Sequence, residues 1–308
     1  MHSRSGHLIG LLAGVIAAPV LFFLMLKAGE DLTRIAISVR LNLFGGPPVS
    51  TAGSASAALL LAAAAVIAGL LAGTGRLSPL APLAAGLPLV ALGVYAQFDY
   101  VGMLRLLDHL LPSSLMPTAM DLEFSGMPQV LGAALLVSAA WPWRWTRMPV
   151  ASPRPHRGAV GIIAGTAALP ALWYLIQLAN PVGYSIVVFD AHLPRTSYLF
   201  WLPQLAAGAL IATLAAARWA SPDAAGIAGL PLLVIGLLLA LIPVDAARWI
   251  APFVWSYRAI WFGMGQSLGM GALLLFGGML ATSAVLPGPW RQPSSSPAAD
   301  DAPVSEPV

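Results

Sequence analysis

The sequence predicts an all-α integral membrane protein with eight transmembrane helices. These form two parallel four-helix repeats related by a pseudo-twofold axis along the membrane normal. Three observations support this prediction: the chain is too poor in charge to cover a soluble surface, its apolar runs are separated by loops of alternating charge, and its two halves share sequence matches in the same order.

The composition excludes an ordinary soluble domain. Hydrophobic residues make up 58% of the 308 residues and charged residues only 9%, whereas soluble domains carry about 25% charged residues. The net charge of +3 does not indicate nucleic-acid binding, because the basic residues lie between apolar runs. Without cysteine, the chain has no disulfide or thiolate metal site. Its richness in Ala, Gly, Leu and Pro, with the single lysine Lys27, is typical of a bacterial protein.

Eight apolar runs approach or exceed the roughly 20 residues that a membrane-spanning helix needs. They cover residues 8–28, 55–75, 80–98, 127–145, 159–179, 199–218, 224–244 and 263–286. The first run is longer than the usual signal-peptide core of roughly 7–15 residues. We therefore expect it to remain as a helix of the mature fold.

The connecting loops alternate between two kinds, short and basic or longer and mixed in charge. The longer loops hold nearly all the acids and cover 29–54, 99–126, 180–198 and 245–262. The positive-inside rule places these loops outside and both termini in the cytoplasm. We thus predict a multi-pass protein of the bacterial plasma membrane, with repeats at 1–150 and 151–290 and a disordered cytoplasmic tail at 291–308.

The two halves match each other in four places. The first and fifth runs share eight identities in nineteen positions at an offset of 151, and the third and seventh share Ala-Gly-Leu-Pro-Leu at 143. The turn before the third run, Ser78-Pro79, matches Ser221-Pro222 at the same offset. The motif Gly-Met-x-Gln-x-Leu-Gly begins at Gly126 and again at Gly263, an offset of 137. Because each unit has an even number of spans, the second copy enters the membrane in the same orientation as the first.

The repeated prolines and glutamines are the candidates for a site between the repeats. Proline removes a helical hydrogen bond, so Pro88 and Pro231 are either packing-adapted kinks or hinges that line a site. Gln129 and Gln266 are the deepest repeated polar pair. They either bond neighbouring helices, each contributing roughly 0.6 kcal/mol, or contact a substrate near the pseudo-axis.

The outer loops contain amphipathic segments that we expect to lie at the membrane surface. Residues 29–44 and 101–111 place apolar side chains at helical spacing, and 245–262 interleaves aromatic residues with arginines. Such segments either seal the bundle or form the walls of an external vestibule. The candidate vestibule residues are Asp99, Arg105, Asp245, Arg248, His109 and His192.

The sequence contains no recognisable catalytic, nucleotide-binding or zincin motif, and we expect no metal, cofactor or enzymatic activity. We expect no charged residue at the membrane midplane, which argues against a carboxylate-lined ion pathway. The first functional hypothesis is therefore an accessory or scaffold subunit that acts through helix faces and external loops. The second is a transporter or lipid- and amphiphile-handling protein with a site between the repeats. A membrane enzyme using the outer acids and histidines is the third. The expected partners are the lipid bilayer and other membrane subunits, not nucleic acid.

Overall fold

The computed structural model describes residues 4–43, 52–74, 78–140, 162–168, 170–172, 202–217, 222–242, 245 and 271–285. All regular secondary structure in these ranges is helical. The predictions for the tail 291–308, the loop 180–198 and nearly all of the loop 245–262 lie outside the described residues, as do Gln266, Arg248 and His192.

The helices of the first half are α1 (Arg4–Leu43), α2 (Ser54–Thr74), α3 (Leu80–Phe98), α4 (Tyr100–Leu110), α5 (Met116–Phe124) and α6 (Met127–Ala140), with a 3₁₀ turn at Ser113–Leu115. Those of the second half are α7 (Leu202–Ala217), α8 (Pro222–Leu241) and α9 (Ala272–Val285). Residues 162–168 and 170–172, within the predicted fifth span, are also helical. The observed α2, α3 and α8 lie close to the predicted spans.

Three of the described helices are long and apolar enough to cross a membrane: Gly6–Ile35 within α1, Ser54–Gly73 within α2, and Ala224–Leu241 within α8. A fourth span results if the bent pair Ser113–Glu123 and Met127–Ala140 counts as one. Shorter apolar helices cover Leu80–Tyr95, Ile162–Leu172, Gln204–Ala215 and Ala272–Val285. The described chain is therefore all-helical, with three or four candidate spans.

Helix α1 differs from the prediction of a span followed by a separate helix on the outer leaflet. It continues without a break to Leu43 and is about 60 Å long at 1.5 Å per residue, twice the roughly 30 Å of a hydrocarbon core. Glu30 explains the continuity, because its carboxylate accepts from Lys27 at 3.1 Å and from Arg34 at 2.7 Å. These bonds, at spacings of three and four residues, stabilise helix across the predicted boundary.

Helix α4 confirms the amphipathic segment predicted at 101–111. Met103 and Leu107 are buried, while Arg105 and Asp108 are exposed on the opposite side. Asp99 caps the helix, its Oδ1 accepting a hydrogen bond from the Gly102 N–H at 2.8 Å. A polar residue at this position satisfies one of the free N–H groups of the first turn.

A sharp bend of 63° separates α5 from α6. Gly126 lies at the bend with φ +68°, in the left-handed region that side-chain-bearing residues rarely adopt. The Ser125 hydroxyl donates to the Leu122 carbonyl at 2.6 Å and accepts from the Met127 N–H at 3.2 Å. The bend therefore has its own hydrogen bonds and does not depend on a proline.

The helices pack through closely opposed glycines, and the two halves use the same contacts. In the first half α3 packs on α6, and a methyl group added to Gly86 would lie 2.7 Å from the Gly132 carbonyl oxygen. In the second half α8 packs on α9, and a methyl group on Gly229 would lie 3.0 Å from the Gly277 carbonyl oxygen. Such close approach is how small residues associate helices where lipid provides no hydrophobic drive.

Helices of the first half also contact helices of the second half. Helix α6 packs on α7, with Gly208 against Ala133, and α9 packs on α2, with Gly278 against Ala65. Ala65 and Gly208 are 143 residues apart, and Ala133 and Gly278 are 145 apart. The contact of α7 with α6 thus resembles the contact of α2 with α9.

These contacts change the correspondence between α6 and α9. The motif match predicts an offset of 137, which aligns Gly126 with Gly263. The described contacts follow an offset of 145, which aligns Gly126 with Gly271, a second glycine of positive φ (+75°) at the start of a helix. The two alignments differ by eight residues, little more than two helical turns, and glycines recur often enough along these helices to match in both.

Candidate functional site

The carboxyl group of Glu123 lies inside the helical bundle, at the last turn of α5. Only 5% of the residue is exposed. Its Oε2 accepts a hydrogen bond from the Gln129 amide nitrogen at 2.9 Å, across the bend. The 63° bend brings the two groups together, because it folds the first turn of α6 back beside the end of α5.

Gln129 is equally buried, with 5% of the residue exposed. Its side chain fills the space beside Gly93 of α3, where an added methyl group would overlap it. Gly93 is therefore required for Gln129 to reach Glu123. Among the residues that the structure describes, the Gln129 Oε1 and the Glu123 Oε1 have no hydrogen-bond partner.

The other half contributes Gln204, from the first turn of α7. This buried side chain lies against Gly126, its amide nitrogen 2.7 Å from where a Cβ of residue 126 would stand. We call Glu123, Gln129 and Gln204, with Gly93 and Gly126, the bend site. It is formed by α3, α5 and α6 of one half and α7 of the other.

The Glu123 carboxyl group has no cationic partner within the described part of the chain. The ion pairs found there both involve Glu30 of α1, and neither reaches Glu123. An ionised carboxylate held away from water without a cation is costly. The site is polar, buried and incompletely paired, as is common where ligands or protons bind and uncommon where a residue only packs.

The matching positions that the structure describes in the second half carry leucines. Gly236 of α8 stands 143 residues after Gly93 and contacts the backbone of Leu274, whereas Gly93 contacts the side chain of Gln129. Gly271 contacts the side chain of Leu61 of α2, where Gly126 contacts that of Gln204. Leu274 lies 145 residues after Gln129, and Gln204 lies 143 residues after Leu61.

The structure places the predicted inter-repeat residues in different environments. Gln129 is part of the bend site, but Pro88 is exposed on α3 and Pro231 is half-buried on α8. Pro88 follows Gly86 by two residues, which is about 200° around the helix, so it faces away from the glycine face that meets α6. The prolines therefore do not join Gln129, and Gln266 lies outside the described residues.

The predicted vestibule residues make no hydrogen bond or ion pair with one another in the described part of the chain. Asp99 caps α4 and makes no ion pair with Arg105 there. Arg105, His109 and Asp245 are exposed, while Arg248 and His192 lie outside the described ranges. Asp99 therefore has a local structural role.

Glu123 was missed by the sequence prediction because it falls in the segment 99–126, which was read as an external loop. The available signal was its position six residues before Gln129, with a Ser-Gly pair between them at the start of an apolar run. Such a pair predicts a break within a helix, and the break turns a loop acid inward.

Compared with protein-family models, with curated proteins and with solved structures, the chain shows no significant match to any of them.

Proposed function

We propose that this chain is a multi-pass protein of the bacterial plasma membrane that moves a small amphiphilic solute through a site between its two halves. It has eight spans in two parallel four-helix repeats, with both termini in the cytoplasm. The observation that carries the proposal is the buried Glu123–Gln129 pair at the bend between α5 and α6, against α7 of the other half.

The matching contacts of the two halves support the duplication. The glycine contacts of α3 with α6 recur in α8 with α9, at offsets of 143 and 145. Gly14 meets the Ala81 carbonyl, and Gly165 meets the Ala224 carbonyl at the same pair of offsets, 151 and 143. Repeats of this parallel kind build several families of membrane transporters.

Burial supports a site within the membrane. Glu123 is buried in the helical bundle, and ionisable groups inside a membrane bundle are functional more often than structural. Broken helices in transporters bind their substrates at such points.

The chain's lack of cysteine makes the proposal testable without knowing the solute. A single cysteine in place of Gln129, or of its buried neighbour Ala133, is exposed to a membrane-impermeant methanethiosulfonate in vesicles of each orientation. A transporter opens the site to each side in turn, so labelling from both sides is expected. Ala52→Cys, at the exposed start of α2, must react from one side only, and the lipid-facing Leu87→Cys must not react.

The alternative is an accessory or scaffold subunit, in which the bend site only joins helices. It predicts that cysteines at 129 and 133 react from neither side. Two further single-cysteine variants test the topology. Ser114→Cys must be labelled from outside and Ser294→Cys from inside. A different pattern at these two positions would contradict the proposed eight spans.

A further inference from the structure

We propose that the bend site binds one small cation that carries N–H groups, such as a primary ammonium group, between the Glu123 carboxylate and the Gln129 carbonyl oxygen. The inference deepens the proposed function, on which it rests, by naming the charge and hydrogen-bonding character of the solute.

When Glu123 is ionised, the uncommitted atoms of the Glu123–Gln129 pair are acceptors only. The Glu123 Oε2 and the Gln129 nitrogen satisfy each other at 2.9 Å, which leaves the Oε1 atoms of both residues without a partner in the described chain. These two oxygens belong to side chains that are joined to each other by that bond. A ligand there must donate hydrogen bonds, since an acceptor would face lone pairs only.

The charge of the ligand follows from the surroundings. Glu123 is buried, and the cationic partners found in the described residues, Lys27 and Arg34, belong to Glu30. A donor that is also positive removes the cost of a buried carboxylate, and charge-assisted hydrogen bonds are roughly twice as strong as neutral ones. An ammonium group meets both requirements with three directed N–H groups.

The expected number of cations per chain follows from the difference between the halves. In the part of the second half that the structure describes, Gly236 contacts the backbone of Leu274 and Gly271 contacts the side chain of Leu61. Neither leucine side chain offers an acceptor, so we expect one cation for each chain.

The test uses the full chain in detergent and follows its thermal unfolding by tryptophan fluorescence. Ethylammonium is the probe, and tetramethylammonium and sodium at equal ionic strength are the comparison cations. We expect a saturable rise in melting temperature with ethylammonium alone. Tetramethylammonium lacks N–H groups, so an equal rise with it, or with sodium, would overturn the ammonium assignment.

Variants connect the effect to the site. Glu123→Gln keeps the size of the side chain but removes its charge, and it must abolish the rise. Gln129→Leu removes one acceptor and should weaken binding about tenfold, as expected for one hydrogen bond of roughly 1.4 kcal/mol. Glu30→Gln, an acid outside the site, must leave the rise unchanged. An ethylammonium effect that persists in Glu123→Gln would refute the proposal.

A measurement on the wild-type chain covers the case in which Glu123→Gln does not fold. Lowering the pH protonates carboxylates, so the ethylammonium effect must fade as the pH falls. An effect independent of pH down to complete protonation would overturn the proposal. Hexanoate and hexanol test the solute site independently of its preference for a cation. If they stabilise the wild type but not Glu123→Leu/Gln129→Leu, the result supports a solute site between the halves and contradicts its preference for a cation.

Discussion

Helix α6 packs on α3 and α7 in the same way as α9 packs on α8 and α2. The two groups of helices differ in the polarity of their buried side chains. Both groups approach through paired glycines, Gly86 with Gly132 and Gly229 with Gly277. Among the described residues, the first group has Gln129 and Gln204 in the bend site, whereas the second has Leu274 and Leu61 at the matching positions. At the sequence position equivalent to Glu123, the second half has Leu268, which lies outside the described residues.

The difference in polarity shows which side chains the helix packing requires. Because the second arrangement forms with leucines, the packing itself does not need glutamine at these positions. A buried, partly unpaired carboxyl group costs stability. Among the described residues it occurs in the first half alone, which supports a role other than packing.

We expect the largest loss of stability from substitutions at the packing glycines that the two halves share. Leucine at Gly86 or at Gly229 would push a side chain against the backbone of the facing helix, 2.7 Å and 3.0 Å from its carbonyl oxygen. Each substitution should lower the free energy of unfolding by about 2–3 kcal/mol, measured in mixed micelles. Gly226→Leu is the matched control, because a Cβ there meets nothing within 4 Å. Unequal losses at positions 86 and 229 would contradict the equivalence of the halves.

A smaller effect is expected from breaking the polar pair on one side only. Gln129→Leu removes the donor to Glu123 and leaves a buried carboxyl group without a partner, which should cost about 1–3 kcal/mol. The double variant Glu123→Leu/Gln129→Leu should recover most of this loss, because replacing both partners by apolar groups is close to neutral. Additive losses in the double-mutant cycle would show that the two side chains do not act as a pair.

The reverse exchange places an amide in the apolar half. Leu274→Gln puts a polar group at a fully buried position of α9, and it should lower the free energy of unfolding by about 1–2 kcal/mol. Equilibrium unfolding compared with the volume-conserving Leu274→Met isolates the polar contribution. An unchanged stability would mean that polarity at this position costs nothing in either half.

The smallest effect is expected at a serine pair that both halves retain. Ser138 and Ser283 are buried at an offset of 145, and each hydroxyl donates to a carbonyl of its own helix at 2.7 Å. Alanine at either position should change stability by less than about 0.6 kcal/mol. Thermal unfolding of the two variants side by side checks this, and a large loss in one alone would mark a second difference between the halves.

Much of the helix pattern could be predicted from hydrophobic runs. The bounds of α2, α3 and α8 agree with the predicted spans within a few residues, and the burial of Gln129 follows from its place in an apolar run. The predicted end of α1 was wrong because hydropathy marks the membrane boundary. A helix ends only where its backbone hydrogen bonds are no longer formed. The charges at Lys27, Glu30 and Arg34 continue the helix instead of ending it.

The bend site was only half predictable. Gln129 was identified from a repeated motif that pairs it with Gln266, which lies outside the described residues. The glycine contacts follow an offset of 145, at which its counterpart is Leu274. Glu123 was missed because an acid in a loop reads as exposed. Its burial results from a tertiary event, the turn at Gly126, whose positive φ is not evident from composition.

The measurement that best separates fold from function combines two readouts on Glu123→Leu/Gln129→Leu. One is its free energy of unfolding, and the other is two-sided thiol labelling at Ala133→Cys with and without the double substitution. We expect stability within about 1 kcal/mol of the wild type and a loss of labelling from at least one side. A variant that fails to fold, or that is labelled like the parent, would contradict a functional role for the bend site.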